Sequence, residues 1–384
     1  MTKALQPKTR VNTENMVDTG KYSFCMGCPA EGCKSCVEGA KVVLFVTGLC
    51  PRRCFYCPVS EHKFGADDVY ADEWKLSKDP AQADQELLEE CRLIEAKGAG
   101  ITGGDPLATL AKTTHYIQLL KKQFGKSFHI HLYTSLNLLT QKTLEQLHDA
   151  GLDEIRFHPD LQDSKLWERL ILTKQFCGDV GIEIPAIPGL EKETRALLDF
   201  LGTNCPHIRF INFNELEFSD TEAKHYTLGE KGFVPKDRYS YAVKGSAEMT
   251  FKLMQYCRKK QFPFSVYFCT SKLKDAVQLR ERLKRRAKNV ALPFDEITKD
   301  GVLIRGVLTG SNVGGNILSL RASLLKLLNL QEHELVYDPQ KNRLLMDKKL
   351  VKKHKKMVKQ LGLTPSIVAE YPTWDAMEVE IDFL

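Results

Sequence analysis

The sequence predicts an α/β protein built on a partial or complete (β/α) barrel, with a cysteine-rich N-terminal segment and a small C-terminal α+β appendage. Three observations carry this prediction. Short apolar runs alternate with helical stretches about seven times between residues 40 and 290. That alternation implies parallel strands joined by crossover helices, and so many units favour a barrel over an open doubly wound sheet. Beyond residue 295 the alternation gives way to a strand, a helix and a hairpin pattern.

The domain limits follow as 1–39, 40–290 and 295–384. Residues 1–20 lack periodicity and read as a loose arm, and residues 21–39 hold the first cysteines. Ala40 to Thr47 reads as a buried strand that runs straight into a second cysteine loop. Gln82 to Lys97, Leu110 to Phe124, Gln141 to Ala150, Ser164 to Cys177, Glu191 to Leu201, Ser246 to Lys260 and Ser271 to Lys288 have helical character. Between them, strands are expected at Ala99 to Thr102, Phe128 to Thr134, Glu154 to His158, Gly181 to Ile187, His207 to Phe213 and Phe264 to Cys269. The polar stretch Leu216 to Tyr241 breaks the pattern and is a candidate substrate cover. In the appendage, Val302 to Leu308 reads as a strand and Leu318 to Leu330 as a helix. Glu334 to Met346 reads as a hairpin and Lys349 to Leu361 as a basic helix.

Of the 384 residues, 43% are apolar and 27% charged, as in ordinary globular proteins. No apolar run approaches the length of a membrane-spanning helix, and Met1 to Asn15 lack the apolar core of a signal peptide. A cytoplasmic protein is expected. Seven of the twelve cysteines fall between Cys25 and Cys57, which points to metal binding rather than a disulfide framework. A net charge of +6 permits an anionic partner without requiring one.

Cys50, Cys54 and Cys57, spaced C-x3-C-x2-C, supply three thiolates from one loop. Structural zinc takes four ligands, and ordinary iron–sulfur sites also use four cysteines. Three thiolates on a four-iron cube leave one iron open to a non-protein ligand. This run, with Tyr56 just before the last cysteine, resembles the radical S-adenosylmethionine (SAM) superfamily. So does Thr102-Gly103-Gly104-Asp105-Pro106 one crossover helix later, which is similar to the family's GGEP turn with Asp in place of Glu. The resemblance implies a [4Fe–4S] cluster whose open iron holds the amino and carboxylate groups of SAM. It implies reductive cleavage of SAM to a 5′-deoxyadenosyl radical that abstracts hydrogen. It further implies that Tyr56 packs beside the adenine and that the Gly103-Gly104-Asp105 turn holds the methionyl amino group. Thr134, Ser135 and Asn137 fall where the family contacts the ribose and carboxylate. An electron donor of flavodoxin or ferredoxin type is implied as well. The chain looks like an archaeal-type group related to pyruvate formate-lyase activating enzymes.

Other candidates come from strand positions. A carboxylate such as Glu183 inside an apolar barrel strand must face a polar lumen or be paired. Arg156 and His158 are similar cases, and His158 and Glu183 are assigned to SAM or substrate. Asn212, Asn214, Glu215 and Glu217 lie at or beyond the end of the sixth strand, where a substrate is met. Cys25, Cys28, Cys33 and Cys36 form a four-thiol set that suits either an auxiliary [4Fe–4S] cluster or zinc. The short gap between its two pairs leans toward the cluster. Cys269 ends the seventh strand as a ligand or redox-active thiol, while Cys91, Cys177, Cys205 and Cys257 read as small core fillers. Basic runs at Lys272 to Lys288 and Lys348 to Lys359 admit an RNA partner. The expected substrate is therefore a tRNA or a protein side chain, with a small metabolite second. The rival class is a zinc-stapled, non-enzymatic RNA-binding protein, which leaves the three-cysteine loop and the glycine turn unexplained.

Overall fold

The computed structural model describes residues 15–310 and 317–384, so residues 1–14 of the arm lie outside the described residues. The chain forms two compact units, Met1–Arg92 with Ala96–Leu279 and Leu93–Glu95 with Arg280–Leu384. In the first unit seven parallel strands stand side by side in chain order. They are β1 (Lys41–Phe45), β2 (Gly98–Thr102), β3 (His129–Thr134), β4 (Glu154–Phe157), β5 (Asp179–Ala186), β6 (Phe210–Glu215) and β7 (Ser265–Cys269). The barrel is partial: β1 takes the short antiparallel strand Tyr70–Ala71 on its free side, and β7 takes Ser23–Met26. Alternation sorts the side chains. Val42, Leu44, Ile101, Leu132, Ile155, Phe157, Ile182 and Phe213 are buried beneath the crossover helices. Lys41, His131, Arg156, Glu183 and Asn212 share the opposite, lumen face.

The cysteine-rich N-terminal segment is part of this unit rather than a separate one, because Ser23–Met26 pairs with β7 along its length. The following helix, Glu31–Val37, presses into the N-terminal end of the lumen. Gly32 makes this possible, since a Cβ there would sit 2.4 Å from His131 Nδ1 and 2.6 Å from Arg156 Nη2. Its N–H donates to Glu154 Oε2 at 3.1 Å, and Lys41 Nζ donates to its carbonyl at 3.4 Å.

Two expected helices are interrupted. Ser164 to Cys177 resolves into the 3-10 turn Ser164–Leu166, the helix Arg169–Leu172 and a second 3-10 turn, Thr173–Gln175. Side chains hold these turns apart: the Trp167 indole donates to the Asp160 carbonyl, and the Thr173 hydroxyl to the Leu170 carbonyl. Ser271 to Lys288 divides into Ser271–Leu273, a π-helical turn Lys274–Leu279 and the helix Arg280–Val290. The boundary between units therefore falls after Leu279, not at residue 290. Leu283 of the last helix packs beside Gly301, and the Arg286 guanidinium donates to the Pro372 carbonyl, both within the second unit.

The second unit is an antiparallel sheet. Its path runs Leu335–Asp338, Arg343–Met346, Leu303–Thr309, Thr364–Glu370 and Glu378–Phe383, with Glu296–Ile297 paired to Leu303–Thr309. The helices Ile317–Leu328 and Lys348–Gln360 bury Ile317, Leu324, Val351 and Val358 against Leu308, Leu344 and Met346. Arg343, 1% exposed, binds Asp338, Glu370 and Glu378, and Glu370 also accepts from Arg305. Removing one member of a buried charge network strands the others, so Arg343→Ala should cost the second unit about 3 kcal/mol, read by denaturant unfolding.

The lumen sets a pH dependence for the first unit. Burial, with the Arg156 and Lys41 charges, holds His131 neutral, well below its ordinary pKa. The unfolded chain takes up the proton that this folded imidazole refuses, so stability is full above about pH 6.5 and falls as pH drops below it. Thermal melting at about pH 7.5 and 5.5 should show this loss, and His131→Gln should flatten it.

Candidate active site

β1 delivers Cys50, Cys54 and Cys57 to its C-terminal end on a loop that main-chain bonds hold in place. Gly48 N–H donates to the Ala66 carbonyl at 2.7 Å, and Gly65 N–H to the Gly48 carbonyl at 2.8 Å. A Cβ at Gly48 would lie 1.6 Å from the Lys63 carbonyl oxygen, so only glycine permits this approach. The turn after β2 is stitched to the same loop: Gly104 N–H donates to Thr47 O and Asp105 N–H to Leu49 O, both at 2.7 Å. A Cβ on Gly104 would meet Leu49 O at 2.4 Å.

The Asp105 carboxylate is turned into the protein. It accepts from the Thr134 hydroxyl at 2.7 Å, the Ser135 hydroxyl at 2.6 Å and Leu107 N–H at 3.0 Å. Asp105, Thr134 and Ser135 thus clamp the ends of β2 and β3 together, and what the turn offers a ligand is backbone. Asn137 is exposed, and its carbonyl accepts from Arg169.

The cysteine loop is also tied to the end of β4. Arg52 donates to the His158 carbonyl at 2.7 Å and to Asp160 at 2.9 Å. Tyr56 OH lies 2.8 Å from His158 Nε2, while His158 Nδ1 lies 2.9 Å from the Glu183 carbonyl. A carbonyl only accepts, so Nδ1 carries the ring proton and Nε2 accepts from Tyr56. Burial, with the Arg52 charge, pushes His158 down to about 4, consistent with this neutral tautomer. Sequence reasoning missed Arg52 and Gly48; the Arg52-Arg53 pair between two of the cysteines and the Thr-Gly step leaving β1 were the available signals.

Burial raises all three thiols, Cys50 to about 11, while the nearby Arg52 guanidinium draws Cys54 the other way. Metal loading must therefore release thiol protons. Among the described residues no group of three or more His, Cys, Asp or Glu side chains is drawn together to hold a metal ion. The chemistry of the donor set nevertheless fits a cube ligated at three corners: three thiols on one braced loop, beside a glycine turn whose main chain stays accessible.

The segment after β6 covers this loop. Thr227 N–H donates to the Phe55 carbonyl at 2.9 Å, the Phe233 ring stacks on Phe55 at 6.1 Å, and His225 lies against Phe64 at 4.3 Å. Below, Arg156 binds Glu183 at 2.7 Å and Glu154 at 2.5 Å, and Asn212 and Asn214 each donate to Glu183 at 3.0 Å. Burial opposes ionisation of Glu183, but Arg156 and the two amides outweigh it and hold the carboxyl below its usual value.

The four N-terminal cysteines are divided. Cys25 and Cys33 are buried with Tyr267 in one cluster that Cys269 packs against, Cys36 is half-buried and Cys28 exposed. Cys33 accepts from Arg156 and Asn212. Of the expected core fillers, Cys91, Cys205 and Cys257 are buried and Cys177 is exposed.

Gly104→Ala should push the glycine turn off the cysteine loop. The expected outcome is at least about a tenfold loss of SAM affinity with reduced iron content, measured by equilibrium dialysis and iron analysis after anaerobic reconstitution.

The model of the Radical SAM superfamily matches residues 44–170. A Methanocaldococcus jannaschii protein named as a glycyl-radical enzyme activating enzyme is 38% identical over 363 residues, 91% of this chain and 91% of that protein. A PqqA peptide cyclase of Bradyrhizobium diazoefficiens is 31% identical over 117 residues, 30% of this chain and 27% of its own. Among solved structures, Streptococcus suis SuiB bound to S-adenosylmethionine shares 15% identity at a TM-score of 0.41, over 60% of this chain and 50% of its own. The chain thus spans nine-tenths of the archaeal relative but half or less of the other two. Identity at the archaeal level runs far past the matched segment into both units, and by it this chain belongs to the radical SAM superfamily, as an enzyme that uses a [4Fe–4S] cluster and S-adenosylmethionine.

Proposed function

We propose that the enzyme generates a radical on a protein or peptide substrate, in the manner of an activating enzyme. The observation that carries this reading is the likeness to the archaeal protein named for such a role, which extends along nine-tenths of both chains. When bound, the reduced cluster and SAM supply a 5′-deoxyadenosyl radical that takes a hydrogen atom from the substrate. Cys50, Cys54 and Cys57 would hold the cluster, and the main chain at Gly103 and Gly104 would face the methionyl group. Tyr56, fixed by His158, walls the loop on the β4 side. The segment docked on Phe55 lies against the loop, where keeping water out would protect a reactive species. A flavodoxin or ferredoxin would deliver the electron, since the potential required lies toward the low end of the iron–sulfur range, about −700 mV.

The N-terminal thiols are proposed as ligands of a second [4Fe–4S] cluster. They span a strand and a helix fixed against the lumen, and the short gap between their two pairs supports this reading over zinc. Reconstituted protein should then hold about eight iron atoms per chain, falling to about four in a Cys33→Ala/Cys36→Ala variant. Zinc retained through the same variant series would count against this assignment.

One observation favours tRNA as a second reading. The helix Lys348–Gln360 presents Lys349, Lys352, Lys353, Lys355, Lys356 and Lys359 exposed. Isotope transfer separates the two readings. The reduced enzyme with SAM is given deuterated protein or deuterated tRNA, and 5′-deoxyadenosine is weighed. A one-mass-unit gain only with protein is the expected result; a gain only with tRNA reverses the ranking. Cys54→Ala should abolish 5′-deoxyadenosine formation in both arms.

A further inference from the structure

The lumen beneath the cysteine loop has an imbalance of hydrogen-bonding groups. Asn212 lies beside Glu183 in the β5–β6 register, and Asn214 follows on the same face of β6. Both side-chain amides donate their Nδ2 to Glu183, at 3.0 Å each. The carboxylate, held ionised by Arg156, accepts only, so it fixes both amides with nitrogen inward. Their Oδ1 atoms are left over. Asn212 is 1% exposed, and its Oδ1 is buried with no hydrogen-bond partner, a state that buried acceptors seldom keep. Asn214, half-buried and nearer the mouth, shows no bond to its Oδ1 among the described residues.

The surroundings select what could meet these oxygens. An anion would find acceptors where it needs donors. A cation would find the carboxylates already matched, Glu154 and Glu183 by Arg156 and Glu217 by Lys274, whose charge also reaches Glu183. A neutral N–H group satisfies both conditions. We infer that Asn212 and Asn214, aligned by Glu183, form a recognition site for a peptide or carboxamide N–H entering from the barrel mouth. The choice of a peptide over another amide rests on the protein-substrate reading above; the choice of a neutral N–H donor rests on the lumen alone.

The test is equilibrium dialysis of the reconstituted holoenzyme with SAM bound. The probes are N-acetylglycine methyl ester and its ester analogue methyl O-acetylglycolate, in which the one N–H is replaced by oxygen. The amide should bind at least tenfold more tightly than the ester. Asn214→Leu should erase that difference by weakening the amide alone. Because the amide–ester comparison is made on the unaltered protein, it stands even if the variant folds poorly. Equal binding of the two probes would overturn the inference, as would tighter binding of protonated glycine methyl ester or of methyl riboside. Amide preference without deuterium transfer from protein would sink the activating-enzyme reading and leave this site standing. Transfer without amide preference would do the reverse.

Discussion

The Arg156 guanidinium is the group on which the first unit turns. A full charge in a barrel interior must be matched, because the low-dielectric surroundings make an unpaired one prohibitive. Here it is matched on every side: Glu154 below, Glu183 above, Tyr133 beside it and the Cys33 sulfur on the inserted helix. Through Glu183 it orients two asparagines, and through Glu154, which accepts from Gly32, it seats the N-terminal helix. The polar groups of the lumen are thus arranged around one buried charge.

Much of this architecture was readable from residue pattern. The parallel strands were legible because buried strands write themselves as apolar runs, and the helices Leu110–Phe124, Gln141–Ala150 and Ser246–Lys260 match their expected limits. The cysteine loop and the glycine turn were legible because they are local in sequence. What stayed hidden depends on distant partners. Nothing within residues 21–39 reveals that Ser23–Met26 adds to β7 or that Gly32 must slip between His131 and Arg156. The broken helix after β4 escaped for the same reason, since its interruptions are anchored by Asp160 and His207. Asp105 shows the converse. Motif reasoning placed it at the right turn, but only the fold shows its carboxylate spent on Thr134 and Ser135.

The two units divide labour by chemistry. The first gathers the sulfur ligands, the glycine turn and a polar lumen. The second is a sheet with its own buried charge network around Arg343 and Glu370, and it carries a lysine-rich helix. Among the described residues no helix is long and apolar enough to cross a membrane. The archaeal relative matches through both units, so the second belongs to the same architecture rather than to an unrelated fusion.

The main-chain bond between Thr227 and Phe55 fastens the covering segment to the loop that carries Cys50, Cys54 and Cys57. Phe55 stands between Cys54 and Cys57, so the covering segment is fastened to the stretch of main chain that separates two of the three thiols. A shift of Thr227 is therefore passed directly to the backbone between those two thiols.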